Sequence, residues 1–122
     1  MDKPTVDVDT EQPPPYELRT EDIAVGDGEE ARPGSVVEVH YVGVSWKTGR
    51  QFDASWDRGD TFKFTLGKRH VIPGWDQGVE GMRVGGRRRL EVPPSLAYGT
   101  LRNGPIPGNS TLVFDVELVS VQ

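Results

Sequence analysis

The sequence predicts an α+β fold, an antiparallel sheet of about five strands with one short helix. Three observations carry that expectation. Apolar and polar residues alternate over 35–46 and again over 111–121, the period of a strand that buries one face. One stretch alone has a convincing helical period, with Trp75, Val79 and Met82 at i, i+4 and i+7. Between 95 and 110, Gly99, Gly104, Pro105, Pro107 and Gly108 leave room for little but loop.

In chain order, residues 1–16 form an acidic, proline-containing arm. Pro4, Pro13, Pro14 and Pro15 share it with Asp2, Asp7, Asp9 and Glu11, and its apolar residues are scattered. Such a segment is extended, either mobile or laid along the domain of residues 17–122. Leu18 to Val25 fits a short strand before the turn Gly26-Asp27-Gly28. Pro33-Gly34 introduces the clearest strand, Ser35 to Trp46, with Val37, Val39 and Tyr41 on one face and Glu38 and His40 on the other. Thr48-Gly49 signals a turn, and Phe52-Asp53 lead into a loop that runs through Asp60.

Phe62, Phe64 and Leu66 alternate with Lys63 and Thr65 as a further strand. The helix opens at Val71-Ile72-Pro73-Gly74-Trp75 and its pattern ends at Gly85-Gly86. Pro73 suits the first turn, where a missing N–H breaks no helical hydrogen bond. Arg87 to Val92 is a strand with Leu90 and Val92 inward, ended by Pro93-Pro94. The last strand, Thr111 to Val121, turns Leu112, Phe114, Val116 and Leu118 to the core. Asp115 and Glu117 lie opposite, placed to pair across the sheet with the arginines of 87–89.

At 122 residues the chain suits one domain with its own core. It has no cysteine, which excludes a disulfide framework, a thiolate metal site and a thiol nucleophile. A net charge of −5 argues against a nucleic-acid or anionic-membrane binder. No apolar run approaches the roughly 20 residues that span a bilayer, and Met1 to Asp7 lacks the apolar stretch of a signal peptide. A cytoplasmic protein follows if Met1 is the native start. With no dimerising helix, a monomer is expected.

Several short motifs are set aside. Arg58-Gly59-Asp60 matches the cell-adhesion tripeptide and Asn109-Ser110-Thr111 a glycosylation sequon, but both matter only on an exported chain. The glycines at 78, 81, 85 and 86 fit no phosphate-binding pattern. His40 and His70 are too few and too isolated for a metal site, and no nucleophile elbow is present. Arg87-Arg88-Arg89 reads as a solvated sheet face in an acidic protein rather than a nucleic-acid patch.

What remains is an aromatic constellation of Tyr41, Phe52, Phe62, Phe64, Trp75, Tyr98 and Phe114. All seven could be core. Yet Phe52 adjoins Asp53, and Tyr98 sits in a surface loop. An aspartate beside apolar side chains needs bonding partners, as does a tyrosine hydroxyl if it is buried. A concave apolar pocket with a few inward polar groups is the general form of a small-ligand site.

Seven blocks stand in order along the chain: Val39-His40-Tyr41-Val42-Gly43, Gly49-Arg50-Gln51-Phe52-Asp53-Ala54-Ser55, Phe62-Lys63-Phe64-Thr65-Leu66-Gly67, Val71-Ile72-Pro73-Gly74-Trp75, Gly81-Met82-Arg83-Val84-Gly85, Ala97-Tyr98-Gly99 and Thr111 to Leu118. In sequence and spacing they resemble the FKBP-type peptidyl-prolyl cis-trans isomerases, most closely the small single-domain bacterial members, over about residues 17–122. The resemblance implies a sheet wrapped around the short helix with a cleft between them. Trp75 would floor the cleft, and Asp53, Tyr98, Trp75 and Phe52 would act on the substrate. Tyr41, Phe62, Val71, Ile72 and Phe114 would bind it, with Ile106 on the overhanging loop. The Ile72 backbone N–H would supply a polar contact, and Arg58 would hold the charge of Asp53.

The same resemblance implies proline-containing polypeptides and macrolides of the tacrolimus and rapamycin type as ligands, with no cofactor, metal, nucleic acid or membrane. Three features depart from the family pattern. The loop over 100–107 is about one residue short, Pro73 precedes Gly74-Trp75, and Trp56 follows Ser55 where a charged residue is common. A cleft of this kind serves two functions, an isomerase or a non-catalytic module that grips prolyl segments. The retained Asp53, Trp75 and Tyr98 favour the enzyme.

Overall fold

The two longest alternating stretches pair with each other. Val36–Ser45 (β2) and Leu112–Val121 (β6) run antiparallel, in register from Val37 opposite Val121 to Ser45 opposite Leu112, with a bulge at Glu38/Val39. Arg87–Val92 (β5) pairs with the other edge of β6, and Arg19–Ala24 (β1) pairs outside β5. The free edge of β2 takes two partners, Phe62–Thr65 (β4) along Val36 to Val39 and Gln51–Ala54 (β3) along Val42 to Val44. This computed structural model describes residues 2–122, which hold six strands in one sheet.

The helix Pro73–Val79 lies across one face of the sheet, where Trp75 and Val79 meet Val37, Val39, Leu90, Val92, Phe114 and Val116 in the main core. It is shorter than the apolar period implies. Glu80 caps it and Gly81, at φ 88°, turns the chain away. Met82 still reaches the core, 3 % exposed, but from the turn, where its N–H donates to the Val79 carbonyl at 3.0 Å. The period is real, but its last member lies beyond a left-handed glycine.

Two short elements precede β4, one at the expected strand-to-loop junction and one within the expected loop. Phe52-Asp53 belong to β3, and Ser55–Arg58 form one helical turn, α1, ended by Gly59 at φ 73°; the helix over 73–79 is therefore α2. Both are only four residues long, below the length at which periodicity carries information. A single 3₁₀ turn, Pro94–Leu96, follows β5.

Both faces of the sheet are buried around its centre. Val42, Val44, Ala54 and Val113 form a second apolar cluster on the face where Glu38 and His40 project, and Val6 of the arm covers it. The arm therefore lies along the domain, and the Trp46 indole N–H also ties it down by donating to the Gln12 carbonyl at 3.0 Å. Arg89 binds both oxygens of Asp115, at 2.8 and 3.1 Å, and Arg87 lies 3.7 Å from Glu117. Arg88 donates to Asp22 at 2.7 Å and to the Gly78 and Glu80 carbonyls. The arginine run is thus engaged within the fold. No helix of the described residues is long and apolar enough to cross a membrane.

Candidate active site

The break between β3 and β4 falls opposite His40 and Tyr41, where β2 has no ladder partner on that edge. Ser55 fills the gap. Its buried Oγ accepts from the Tyr41 backbone N–H at 2.7 Å and lies 2.8 Å from His40 Nδ1. A buried N–H needs such a partner, and the serine supplies it while turning the chain from β3 into α1. Tyr41 is thereby fixed at the point where the sheet opens.

Glycines set the spacing around it. A Cβ on Gly74 would lie 2.4 Å from Val92 Cγ1, and one on Gly78 would lie 2.8 Å from Leu90 Cδ2. Their absence lets α2 sink onto β5 and carries Trp75 to the depth it occupies. A Cβ on Gly43 would lie 2.6 Å from Phe52 and 2.8 Å from Phe114, so that glycine makes room for their edge-to-face pair, 5.7 Å between centroids.

Trp75 is 5 % exposed. Its indole meets Tyr41 at 4.9 Å, Phe114 at 5.3 Å and Phe62 at 6.0 Å, all near-perpendicular, with Phe64 tilted beneath at 5.7 Å. These are the offset geometries that ring quadrupoles favour. Above the indole lies a cleft of about 220 Å³. Tyr41, Phe52, Phe62 and Phe114 wall it, and Val71, Ile72 and Tyr98 reach it from the loops. Trp75 therefore belongs to the core and to the cleft at once.

The rim before α2 is held from below. Asp76, in the first turn of α2, accepts from the Gly67 N–H at 2.9 Å and the Arg69 N–H at 3.1 Å, which secures Arg69 at φ 61°. The Ile72 carbonyl accepts from the Trp75 N–H at 2.9 Å. Its own N–H has no backbone partner among the described residues. Tyr98 is 39 % exposed, and its hydroxyl is likewise unpaired among the described residues.

One edge of the cleft is polar. The Tyr41 hydroxyl donates to one Asp53 carboxylate oxygen, and Arg58 Nη1 donates to the other. Arg58 Nη2 also donates to the Tyr41 hydroxyl oxygen at 2.9 Å, closing the triangle. Burial, reinforced by the bond to Asp53, pushes the Tyr41 phenol above its usual range, and Arg58 opposes this. Tyr41 and Asp53 in turn hold the Arg58 guanidinium more firmly charged. The Arg58 guanidinium is engaged by Asp53 and Tyr41, although the side chain stays half-exposed.

The structure brings Asp53, Tyr98, Trp75, Phe52, Tyr41, Phe62, Val71, Ile72 and Phe114 together around one cleft. Ile106 is placed differently. It is 5 % exposed, packs in the same cluster as Trp75 and Phe114, and does not line the cleft. Reciprocal backbone bonds with Asn103, at 2.9 and 3.0 Å, close a tight turn that tucks it under the loop. His70 does line the cleft, although as a histidine it drew attention only as a metal ligand. Its position directly before Val71 and Ile72 was the available signal. The hydroxyl bond of Tyr41 had no local signal, because its partner is twelve residues away.

The sequence model of the FKBP-type peptidyl-prolyl cis-trans isomerases matches residues 27–119. A probable FK506-binding protein of Corynebacterium glutamicum is 50% identical over 98% of this chain and 99% of its own. The FK506-binding protein of Streptomyces anulatus is 50% identical over 99% of this chain and 98% of its own. Among solved structures, AtFKBP13 aligns with a TM-score of 0.79 at 40% identity, over 86% of this chain and 93% of that one.

Proposed function

The chain belongs to the FKBP-type peptidyl-prolyl cis-trans isomerase family, and on that premise we propose that the cleft above Trp75 receives a prolyl ring and speeds rotation about the preceding amide. The observation that carries this reading is the composition of the cleft, with aromatic floor and walls and one carboxylate edge, Asp53, held by Tyr41 and Arg58.

Rotation about a prolyl amide is slow because resonance gives its C–N bond double-bond character, with a barrier of ~18–20 kcal/mol. No bond need be broken and no proton moved. The twisted amide separates less charge than the planar one, so a dry apolar cleft favours it. Seating the ring on Trp75 holds the substrate in position. Shortening tens of seconds to milliseconds takes a factor of about 10⁴, or ~5.5 kcal/mol of stabilisation specific to the twisted form. Water exclusion with hydrogen bonds from the Ile72 N–H and the Tyr98 hydroxyl supplies a contribution of that order. Asp53 orients and stabilises; it is not an acid or base, since both its oxygens are engaged by Tyr41 and Arg58.

The same cleft is proposed to take macrolides of the tacrolimus type, a reading supported by the names of the relatives that match over the whole chain. The test combines two measurements on wild-type protein. Titration with the macrolide should perturb tryptophan fluorescence and block isomerisation of an Xaa-Pro peptide competitively. Macrolide binding without any isomerisation would make the protein a binding module. Turnover that follows a carboxylate titration would contradict the orienting role of Asp53.

A further inference from the structure

The N-terminal arm meets the cleft through a single turn of helix. Lys3 Nζ donates to one Asp57 oxygen at 2.7 Å, and Gln51 Nε2 donates to the other at 2.8 Å. Val6 is 9 % exposed and packs in the back cluster against which Trp56 also rests. Arg87 Nη2 donates to the Asp2 carbonyl at 2.7 Å, and its guanidinium stands 5.5 Å from the Trp56 ring centre. Asp57 thus faces the arm, while Trp56 lies among the back cluster that Val6 joins, the Arg87 guanidinium and the His40 ring. The next residue, Arg58, reaches toward the cleft to Asp53 and Tyr41.

The turn that carries these residues has little hold of its own. It spans Ser55–Arg58, its N-cap makes no side-chain hydrogen bond, and it ends at a left-handed glycine. A helix of one turn is not stable in isolation, so its orientation is set by what it touches. On the sheet side that is Ser55, bonded to β2, and Trp56, whose ring stacks on His40 at 4.7 Å. On the outer side it is the arm. The Arg58–Asp53 and Lys3–Asp57 pairs are both half-exposed, and an exposed pair alone holds two side chains weakly, so the hold on α1 comes from Lys3, Gln51 and the packing of Trp56 acting together.

We propose that the arm is a positioning element for the active site, in which Lys3 and Val6 brace α1 from behind so that Arg58 stays on Asp53 and Tyr41. The proposal rests on the reading of the cleft given above. Lys3 and Val6 touch no substrate; they act through Asp57 and Trp56 on where Arg58 stands. Bracing of this kind reduces the freedom that must be lost when substrate binds.

The test uses full-length Lys3→Ala, Lys3→Arg and Val6→Asp with two readouts. One is kcat/KM for an Xaa-Pro peptide. The other is the titration of the Tyr41 phenol carbon by NMR. Because Arg58 holds the Tyr41 phenol down while burial and Asp53 raise it, a displaced Arg58 moves that titration upward. Lys3→Ala should lower kcat/KM by up to about fivefold and Val6→Asp by more, both moving the Tyr41 titration up, with Lys3→Arg keeping both readouts near wild type. A Tyr41 titration that stays at the wild-type position in both variants, with or without loss of activity or melting temperature, would overturn the proposal. Unchanged kcat/KM beside a shifted titration would overturn it as well. If the wild type does not accelerate isomerisation, the reading of the cleft fails, and the Tyr41 titration still decides whether the arm places Arg58.

Discussion

The Tyr41 hydroxyl donates to the Asp53 carboxylate across the paired edge of β2 and β3. The same ring stands edge-on to Trp75 at 4.9 Å, so one residue joins the apolar floor of the cleft to its polar edge. Tyr41→Phe keeps the ring and removes the donor. It should lower stability by about 1.5–2 kcal/mol, the lower part of the range for hydrogen bonds to charged groups, because the site is partly open to solvent. Urea denaturation of both proteins, with equal m-values, measures it.

The broad frame was legible because its elements are long and alternate cleanly. β2, β5 and β6 lie where Val37, Val39, Leu90, Phe114 and Val116 place them, and the acids of β6 pair with the arginines of β5 as spacing implied. The rest was hidden for particular reasons. Val42 and Val44 gave no sign that an acidic arm would cover them, because Val6 is the one described residue of that arm in the buried cluster around them. The turn Ser55–Arg58 follows from a tertiary need, the unpaired N–H of Tyr41, which no local pattern records. Ile106 is expected on the overhanging loop, and its turn with Asn103 instead packs it in the main core.

Gly74→Ala tests how α2 is seated. The new Cβ would lie 2.4 and 2.9 Å from the two Val92 methyls, and Val92 is fully buried. Overpacking of this kind costs about 1–3 kcal/mol, more than alanine recovers through helix propensity. The melting temperature should fall, and in a Trp46→Phe/Trp56→Phe background the Trp75 emission should shift as the indole is lifted. The double variant Gly74→Ala/Val92→Ala should recover part of the loss.

Arg89→Ala leaves Asp115, 1 % exposed, without its bidentate partner. Removing one member of a buried pair strands the other charge, at about 3–5 kcal/mol when burial is complete. Arg89 is partly exposed, so about 2–4 kcal/mol is expected here. Denaturant unfolding of Arg89→Ala and of Arg89→Ala/Asp115→Asn checks it, and the double variant should be the more stable of the two.

Glu38 supplies a pH dependence with a defined sign. Hydrogen bonds from Thr61, and then Ser120, hold its carboxyl below the ordinary value of 4.5. Its folded pKa lies below its unfolded one, so its contribution is fully present above about pH 4.5 and is lost as pH falls through the lowered value. Carbon NMR titration of Glu38 should show the lowered midpoint in wild type. In Thr61→Val the midpoint should return toward the ordinary value, and that variant should lose less stability on acidification.

Whether this cleft isomerises prolyl bonds with Asp53 as its structured polar edge is measured by the isomerisation of a peptide with a hydrophobic residue before proline, with wild type and Asp53→Ala at matched folded concentrations. Wild type should accelerate the reaction well above the uncatalysed rate, and Asp53→Ala should lose at least about tenfold in kcat/KM, a change of ~1.4 kcal/mol in transition-state stabilisation. Folded wild type that gives no acceleration, or Asp53→Ala that retains full activity, would contradict this role of the cleft.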